Sequence, residues 1–412
     1  MPSELPSSTS GTPTTTSDPD TTAVIIAGRR LPTAKAGGAY KKYRAHELAS
    51  VVIRDLIAQS GIPVSEISDV ILGNAVGGGG NVARLAALTA GLPHTVTGLT
   101  VDRQCGSGLE AVVLAARLVQ AGAGDLYLAG GVESISTAPA RAHRLADGGL
   151  EFFARAQFAP EDIGDPDAGQ AAENVAAHYG ITRQRQDAYA LESHDRAIKA
   201  AQKGHFADEL ISFAGLLADQ GPRPNLTPSL MARFPAAFVP GGTVTAGNSC
   251  PYSDGAALLL VTSLTRARAI ASQQRITGES ARGLKFIDSA VLGNEPTLLG
   301  AGAAYSTRKL MSRTGLSRNG LAAALVEFNE AFAAQVLAVA DLLGVDPGIF
   351  NHDGGALALG HPYGASGAVL VTRLLARARR GADLGTDALA MISMAGGMGI
   401  TAQFQWTQMH DS

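Results

Sequence analysis

One cysteine in the sequence is placed where a thiol could act as a nucleophile. Cys105 lies in the segment VDRQCGSG, directly before an apolar stretch, Leu109 to Val119, that is typical of a helix. The N-terminus of a helix carries unpaired N–H groups and partial positive charge, which stabilise a thiolate, and flanking glycines let a substrate carbonyl approach the backbone. A small buried core residue is the alternative, because that is the commonest role of a free cysteine.

His361, in GHPYGASG, and Asn329 with Glu330, in FNEAF, could assist such a thiol. An imidazole holds a thiolate and exchanges protons near neutral pH, and an asparagine can position a water or donate to a developing oxyanion. Taken alone, each also fits an ordinary structural role, the histidine beside a proline turn and the asparagine within a turn.

Two glycine-rich segments could bind a substrate through their backbone. SMAGGMG (393–399) offers N–H groups for an oxyanion hole, and GTVTAGNS (242–249) could cradle a polar ligand, with plain turns as the alternatives. Neither segment matches a phosphate-binding P-loop, and no cluster of side chains has metal-ligand spacing. We therefore predict no metal site and no cofactor.

The elements that must position these residues form an internal repeat. In the first half ILGNAV (71–76) precedes CGSGLEAVVLAARLV (105–119) and LYLAGG (126–131); in the second, VEFNEAF (326–332) precedes GASGAVLVTRLLARA (364–378) and ISMAGG (392–397). In both halves a strand ends near an asparagine, a Gly-Ser-Gly-type turn opens a helix, and a strand ends in Ala-Gly-Gly. Strands alternating with helices predict a mostly parallel, layered α/β sheet made of two similar halves.

The domain boundaries follow from where this pattern holds. Residues 1–21 are rich in Ser, Thr and Pro and predict a disordered tail. Residues 22–266 form the first half, with an inserted loop domain at about 134–245 that contains a predicted helix, Arg183 to Gln202. Residues 267–284 are predicted to link this half to the second, residues 285–412.

Composition excludes several classes of protein. The chain has 412 residues, 46% of them hydrophobic, so it can bury two cores. A net charge of -3 does not favour nucleic acid, and no run of about 18 apolar residues could span a membrane. Two cysteines do not make a disulfide framework and no signal-peptide pattern is present, so we expect a reducing, cytoplasmic location.

Together these segments resemble a thiolase. VDRQCGSG, GQAAENVA (169–176), GTVTAGNS with Ser253-Asp254-Gly255-Ala256, FNEAF and GHPYGASG follow the family's order and spacing, and the match covers about residues 22–409. The resemblance implies a five-layered αβαβα fold of two like halves that forms homodimers or homotetramers. It also implies an acyl-CoA C-acyltransferase that forms or cleaves 3-ketoacyl-CoA, with acyl-CoA and coenzyme A (CoA) as substrates.

The resemblance further implies a role for each site residue. Cys105 is the expected nucleophile, which forms a thioester with the acyl group. His361 activates Cys105 and shares one oxyanion hole with a water held by Asn329, while the N–H groups of Cys105 and Ala395 form the second hole. The residues expected to contact CoA or the acyl group are Arg223, Ala246, Gly247, Ser249, Cys250, Ala168 and Phe332.

Four positions depart from the family pattern. Ser393 stands where such enzymes have a second catalytic cysteine, the base that removes the α-proton of the second acyl-CoA. A serine hydroxyl is far less acidic than a thiol of pKa about 8.5, so it is a poor proton acceptor near pH 7. Cys250 stands where a CoA-contacting serine is usual, and we expect it to pack rather than to act as a second catalytic thiol. Ala168 could leave room for a bulkier or branched acyl chain, and Asp102 replaces the usual asparagine before the nucleophile.

Ser393 leaves three functions open. The first is a thiolase in which condensation is slow or uses His361 or a water as base, since a general base contributes about 10²–10⁴-fold. The second is a related acyltransferase, or a decarboxylating condensing enzyme, that uses Cys105, His361 and Asn329 without a second cysteine. The third is a catalytically silent subunit that binds acyl-CoA, against which the retained nucleophile and histidine argue.

Overall fold

The computed structural model describes residues 21–273 and 281–409, so only the last residue of the predicted tail falls within the described part. The strands up to the middle of the chain are β1 (Ala23–Arg30), β2 (Ala34–Lys35), β3 (Asp69–Gly73), β4 (Thr97–Val101), β5 (Leu126–Glu133), β6 (Arg141–Arg144), β7 (Leu150–Phe153) and β8 (Ser253–Ser263). The helices of the same part are α1 (Ala45–Ser60), α2 (Val82–Thr89), α3 (Ser107–Gln120), α4 (Ala168–His178), α5 (Arg183–Gln202), α6 (Pro228–Met231) and α7 (Leu264–Gln273).

The C-terminal half has the same kinds of element in a shorter chain. Its strands are β9 (Arg282–Gly293), β10 (Leu325–Phe328), β11 (Asp387–Met394) and β12 (Met398–Gln408). Its helices are α8 (Gly302–Thr314), α9 (Arg318–Ala323), α10 (Ala333–Leu343), α11 (Ala356–Leu359) and α12 (Tyr363–Arg379). Helix α7 occupies residues 267–273 of the predicted linker and β9 begins at its end, while residues 274–280 lie outside the described residues.

The main sheet confirms the internal repeat through its strand order. The order is β10-β11-β12-β9-β1-β8-β5-β3-β4, so β3-β5-β8-β1 in the first half corresponds to β10-β11-β12-β9 in the second. The two half-sheets meet at β1 and β9, which are joined through Val24 with Lys285 and Ile25 with Leu284. Each half therefore builds the same four-strand unit, and β4 is added at the edge of the first.

The expectation of a mostly parallel sheet was wrong. Only β10 with β11, β3 with β5 and β3 with β4 run parallel; the five other neighbouring pairs along this path are antiparallel. The physical reason is the connections. A three-residue turn, Ala395 to Gly397, returns β12 directly alongside β11, and β8 enters beside β5 only after the long inserted segment.

Both faces of each half-sheet are buried, which gives five layers of helix and sheet. Along β8, Ala257, Leu259 and Val261 face a central core, whereas the alternate residues face an outer core. The central core also holds α3, α12 and strands of both halves, the second core holds α1 and α2, and a third core holds α8 and α10. Helices α3 and α12 are thus the middle layer between the two half-sheets.

Glycines let the two central helices approach each other closely. A Cβ at Gly108 in α3 would lie 2.6 Å from the carbonyl oxygen of Gly364 in α12, and a Cβ at Gly367 would lie 2.1 Å from the amide nitrogen of Leu109. Gly131 in β5 is equally restricted, because its Cβ would meet the same Gly364 oxygen at 1.9 Å. Larger residues at these positions would push the two helix N-termini apart.

The expected strand end at Ala-Gly-Gly is right for one half only. Ala395, Gly396 and Gly397 form the turn after β11, with φ of 78° and 74° at the two glycines. In the first half Gly130 and Gly131 lie inside β5, which continues to Glu133. There the glycines serve close packing, since a Cβ at Gly130 would meet the Ala257 oxygen at 2.1 Å.

The segment between β5 and β8 adds no strand to the main sheet. It contains the hairpin β6–β7 and helices α4, α5 and α6, and α5 has the bounds that the sequence predicts. The Thr182 side chain accepts a hydrogen bond from the Arg185 N–H and thereby caps α5. Across residues 21–273 and 281–409 we find no helix long and apolar enough to cross a membrane.

Candidate active site

Cys105 lies in a tight turn between β4 and α3. Gln104 adopts a left-handed conformation with φ of 50°, which is rare for a residue with a side chain. Two side chains hold the turn: Asp102 accepts from the Gln104 N–H at 2.8 Å, and Ser107 accepts from the Arg103 N–H at 2.8 Å and donates to the Gln104 carbonyl. Asp102 thus fixes the backbone that presents Cys105; an asparagine oxygen would accept the same bond, so nothing in the structure explains the change from asparagine.

The Cys105 sulfur is held between two backbone N–H groups. Burial raises the pKa of the thiol to about 12, the N–H groups of Cys105 and Ala395 act in the opposite direction, and the Glu133 carboxylate raises it further. The structure therefore brings together the two N–H groups of one predicted oxyanion hole. Because the resting thiol is protonated at neutral pH, a base is needed to form the nucleophile.

His361 is a buried neutral imidazole at the start of α12. Burial lowers its pKa to about 4, so the ring is uncharged at neutral pH. Nδ1 lies 2.6 Å from Ser366 Oγ, and Nε2 lies 3.4 Å from Asn329 Nδ2. Both contacts are satisfied when Nδ1–H donates to Ser366 and Nε2 accepts, which leaves Nε2 as the basic nitrogen. In the described part of the chain neither nitrogen hydrogen-bonds to the Cys105 sulfur.

Asn329 directly follows β10 and is held by its neighbours. Its N–H donates to the Met391 carbonyl at 3.0 Å. Glu330 beside it is fully buried and accepts from Tyr189 at 2.9 Å, Ser193 at 2.6 Å and Asn351 at 2.7 Å. Burial raises the pKa of Glu330 in spite of these donors. Glu330 is thus an anchor for the loop, and Asn329 is the residue that faces His361.

Ser393, expected from the sequence at the position of a second catalytic cysteine, lies near the end of β11, and its hydroxyl is engaged by neighbouring backbone groups. The hydroxyl donates to the Gly300 carbonyl at 2.7 Å and accepts from the Ala303 N–H at 2.9 Å, and the residue is 4% exposed. It therefore connects β11 to the first turn of α8. The next residue, Met394, faces the opposite side of the strand, where a Cβ on Gly106 would touch its sulfur at 2.1 Å.

The loop that contains residues 245–250 carries most of the predicted CoA contacts. Asn248 fixes its shape by accepting from the Thr245 N–H at 2.8 Å. Ala246 is exposed, and its carbonyl accepts from the Arg223 guanidinium at 3.4 Å. Gly247 has no room for a side chain, because a Cβ would lie 2.9 Å from Met231. Within the described ranges the buried hydroxyl of Ser249 has no hydrogen-bond partner, which leaves it available to a ligand.

Phe332 and Ala168 lie outside this loop, and Cys250 is its last residue. Phe332 pairs with Ser249 and packs edge-to-face on Phe238, with ring centroids 5.9 Å apart. Ala168 is exposed as the first residue of α4, and Phe238 lies directly against the following glycine. Space next to Ala168 is thus bounded by an aromatic ring. Cys250 is partly exposed, and its N–H donates to the Ala331 carbonyl at 3.0 Å.

Two further site residues were not expected from the sequence. Glu133 at the end of β5 accepts from Asn74 at 2.7 Å and from the N–H groups of Ala75 at 2.9 Å and Gly364 at 3.0 Å, and burial raises its pKa to about 7. It therefore ties the first half to the N-terminus of α12. Tyr363 packs on the His361 ring at 5.1 Å between centroids. The one sequence feature that could have pointed to either residue is its position at the end of a repeat element.

Both halves of the chain match models of known protein families. The family model of the thiolase N-terminal domain matches residues 23–265, and that of the thiolase C-terminal domain matches residues 283–406. The chain is 42% identical over 387 residues to "Putative acetyl-CoA C-acetyltransferase YhfS" of Bacillus subtilis (strain 168), covering 93% of this chain and 99% of that protein. It is 41% identical over 390 residues to "Putative acetyl-CoA C-acetyltransferase VraB" of Staphylococcus epidermidis, covering 93% and 98%.

Solved structures agree with the sequence relatives. The crystal structure of the Bacillus anthracis acetyl-CoA acetyltransferase superimposes with a TM-score of 0.84 at 33% identity, covering 93% of this chain and 98% of that chain. The human mitochondrial 3-ketoacyl-CoA thiolase in complex with CoA gives 0.84 at 28% identity, covering 94% and 98%. The similarity therefore extends over both halves.

Proposed function

Since the chain belongs to the thiolase family and is a thiolase-type acyl-CoA C-acyltransferase, we propose that it forms or cleaves 3-ketoacyl-CoA through an acyl thioester on Cys105. The observation that supports this best is the surroundings of the Cys105 sulfur. Two N–H groups point to it, and a neutral histidine lies at the adjacent helix N-terminus.

Each group has a distinct part in the proposed acyl transfer. His361 Nε2 takes the thiol proton, and the Cys105 thiolate attacks the acyl carbonyl. The N–H groups of Cys105 and Ala395 stabilise one oxyanion, and His361 with a water on Asn329 stabilises the other. Because Ser366 and Asn329 fix the ring, His361 needs no reorientation between accepting the proton and returning it.

CoA is proposed to bind along the loop of residues 245–250. The unpartnered Ser249 hydroxyl supports a polar contact to the pantetheine, and the exposed Ala246 backbone lies on the same path. Arg223, which already contacts Ala246, supports a contact to the nucleotide part. Ala168, Gly247, Cys250 and Phe332 complete the proposed binding surface, and we propose that the enzyme needs no resident cofactor.

One observation favours a second candidate function. The Ser393 hydroxyl is engaged by Gly300 and Ala303, so it is not placed to accept the α-proton of a second acyl-CoA. A decarboxylating condensation, or transfer of the acyl group to another acceptor, needs no such base. In either case Cys105, His361 and Asn329 would act as described above.

We propose a homodimer or homotetramer located in the cytoplasm. The edge strand β4 exposes Leu99, and the hairpin β6–β7 exposes Leu150 and Phe152 at 55% and 68%. An unpaired strand edge and apolar tips of this kind support association between copies. Light scattering during gel filtration would give the mass, and a monomer at micromolar concentration would contradict the proposed assembly.

The function is tested by mixing the protein with acetoacetyl-CoA and CoA and following loss of the 3-keto group. Mass spectrometry of the Cys105 peptide should show an acetyl group, and C105A should show neither the label nor turnover. Acetylation of Cys105 by acetyl-CoA without loss of the 3-keto group would favour the second candidate function. Absence of acetylation from acetyl-CoA and from longer acyl-CoAs would contradict both.

A further inference from the structure

Carbon–carbon chemistry at this site needs a group that exchanges a proton with the α-carbon of an acyl-CoA. This requirement rests on the function proposed above. Glu133 also acts on Cys105, but its carboxylate is held by Asn74 and by the N–H groups of Ala75 and Gly364; the candidates that we compare are Ser393, His361, Tyr363 and Cys250. Their contacts decide which of them is free to act.

Ser393 is the least suitable of the four. Its one proton is donated to Gly300, and its oxygen accepts from Ala303, so the hydroxyl serves as a bridge between β11 and α8. Removing that proton would leave an alkoxide in a buried position. Such a group is too costly to form near neutral pH.

His361 and Tyr363 are less suitable, for different reasons. His361 already exchanges a proton with Cys105, and its Nε2 lies 3.4 Å from Asn329 Nδ2, so one nitrogen would have to serve both proton transfers in turn. Tyr363 lies against His361, and burial raises the pKa of its hydroxyl, followed by the charge of Cys105. Its hydroxyl is therefore harder to ionise than an ordinary phenol, which is itself less acidic than a thiol.

Cys250 lies on the segment that joins the two catalytic loops. Its own N–H donates to Ala331, two residues after Asn329. Two residues further on, Tyr252 pairs with His361, whose N–H donates to Ser253 at 3.3 Å. Cys250 is partly exposed and, among the described residues, belongs to none of the hydrophobic clusters.

The Cys250 thiol also lies within electrostatic reach of the nucleophile. Burial raises its pKa to about 12, and the charge of Cys105 is the next largest cause. Tyr363 experiences the charges of both cysteines, and Tyr252, two residues after Cys250, packs edge-to-face on Tyr363 with ring centroids 6.3 Å apart. A thiol there remains protonated at neutral pH, and its thiolate is a strong base once formed.

We propose that Cys250 supplies the second acid–base group of the reaction, at a position different from Ser393. In cleavage, Cys105 passes its proton to His361 and forms the C–S bond to the keto carbon. The C2–C3 bond breaks, and the α-carbon of the leaving acyl-CoA takes the proton of Cys250. CoA then gives its thiol proton to the Cys250 thiolate and attacks the acyl group, while His361 returns the first proton to Cys105.

Two reactions of acetyl-CoA separate this role from acyl transfer. Exchange of labelled CoA into acetyl-CoA needs only Cys105 and His361. Exchange of the acetyl hydrogens with D₂O needs the second acid–base group as well. In C250A and C250S we expect hydrogen exchange and acetoacetyl-CoA thiolysis to fall about 10²–10⁴-fold more than CoA exchange, because CoA exchange reports only the change in CoA binding and acyl transfer at Cys105.

The variant S393A tests the alternative that Ser393 is the second acid–base group. Thermal unfolding of all variants checks that they fold. Because C250S keeps a small polar side chain, it remains informative if C250A does not fold. Hydrogen exchange that survives in C250S, or that is lost in folded S393A, would overturn the proposal. If the native protein does not exchange CoA at all, the proposed function fails, and the role of Cys250 fails with it.

Discussion

Two helix N-termini meet at the centre of the molecule and carry different chemistry on the same scaffold. In the first half Gln104, with φ of 50°, precedes Cys105; in the second, Gly360, with φ of 110°, precedes His361. Three residues later each helix touches the other, Gly108 against Gly364. Cys105, the proposed nucleophile, and His361, the proposed base, therefore have equivalent places in the repeat.

The difference between the two sites lies in what surrounds the side chain. Cys105 faces backbone N–H groups, including that of Ala395 from the other half, which suit a negative charge. His361 is enclosed by Ser366, Asn329 and Tyr363, and burial keeps it neutral. One half is thus organised to stabilise an anion and the other to accept a proton, which is how a duplicated unit can supply two unlike catalytic groups.

The largest effect is expected from the first of these sites. C105S should lower kcat for thiolysis about 10⁵- to 10⁶-fold, as loss of a nucleophile does in hydrolases. The reason is that a hydroxyl forms the attacking anion far less readily than a thiol. Steady-state kinetics with acetoacetyl-CoA measures this. Activity within tenfold of the native enzyme would mean that Cys105 is not the nucleophile.

The second site should give a smaller loss, because it assists rather than reacts. H361A should lower kcat about 10²–10⁴-fold. S366A keeps the ring and removes only the partner of Nδ1, so its loss should be clearly smaller. If S366A were as damaging as H361A, the histidine would act mainly through its packing, and the contrast between the two helix N-termini would no longer hold.

The packing of α12 against the first half can be tested at Gly131 in β5. G131A places a Cβ 1.9 Å from the Gly364 oxygen at the start of α12, and backbone cannot move aside easily. We expect a loss of about 1–3 kcal/mol in unfolding free energy, typical of overpacking, together with lower activity. Gly293 is the matched control, since its Cβ would have no neighbour closer than 3.8 Å. Equal stability of G131A and G293A in urea would show that the N-terminus of α12 can move away from β5 without cost.

The neutral state of His361 predicts a pH effect on stability. Its folded-state pKa of about 4 lies below the ordinary value of 6.5, so protons bind the unfolded chain more strongly. Stability due to the neutral ring is present above pH 6.5 and is lost as pH falls towards 4. H361Q lacks this titration. The difference in unfolding free energy between the native protein and H361Q should therefore shrink by about 2 kcal/mol between pH 7 and pH 5. A constant deficit in urea unfolding would contradict a buried neutral ring.

The repeat and the main site residues could be predicted because they are local in sequence. A strand, a glycine turn and a helix each have their own pattern, and Cys105, Asn329 and His361 lie at the junctions between them. Strand direction could not be predicted, since β12 depends on a short turn and β8 on a long insertion. Glu133 and the environment of Ser393 were missed because their partners, Gly364 and Ala303, are 231 and 90 residues away.

The smallest predicted effect concerns the loop that joins the two halves of the site. Ser249 is 8% exposed and its hydroxyl is unpartnered within the described residues, whereas Ser253 donates to Pro251 at 2.8 Å and accepts from the His361 N–H. S249A should therefore raise KM for CoA about 2- to 10-fold with kcat unchanged, the value of one hydrogen bond. S253A should instead lower kcat, because it loosens His361. If both variants changed only kcat, Ser249 would belong to the histidine's support rather than to the CoA site.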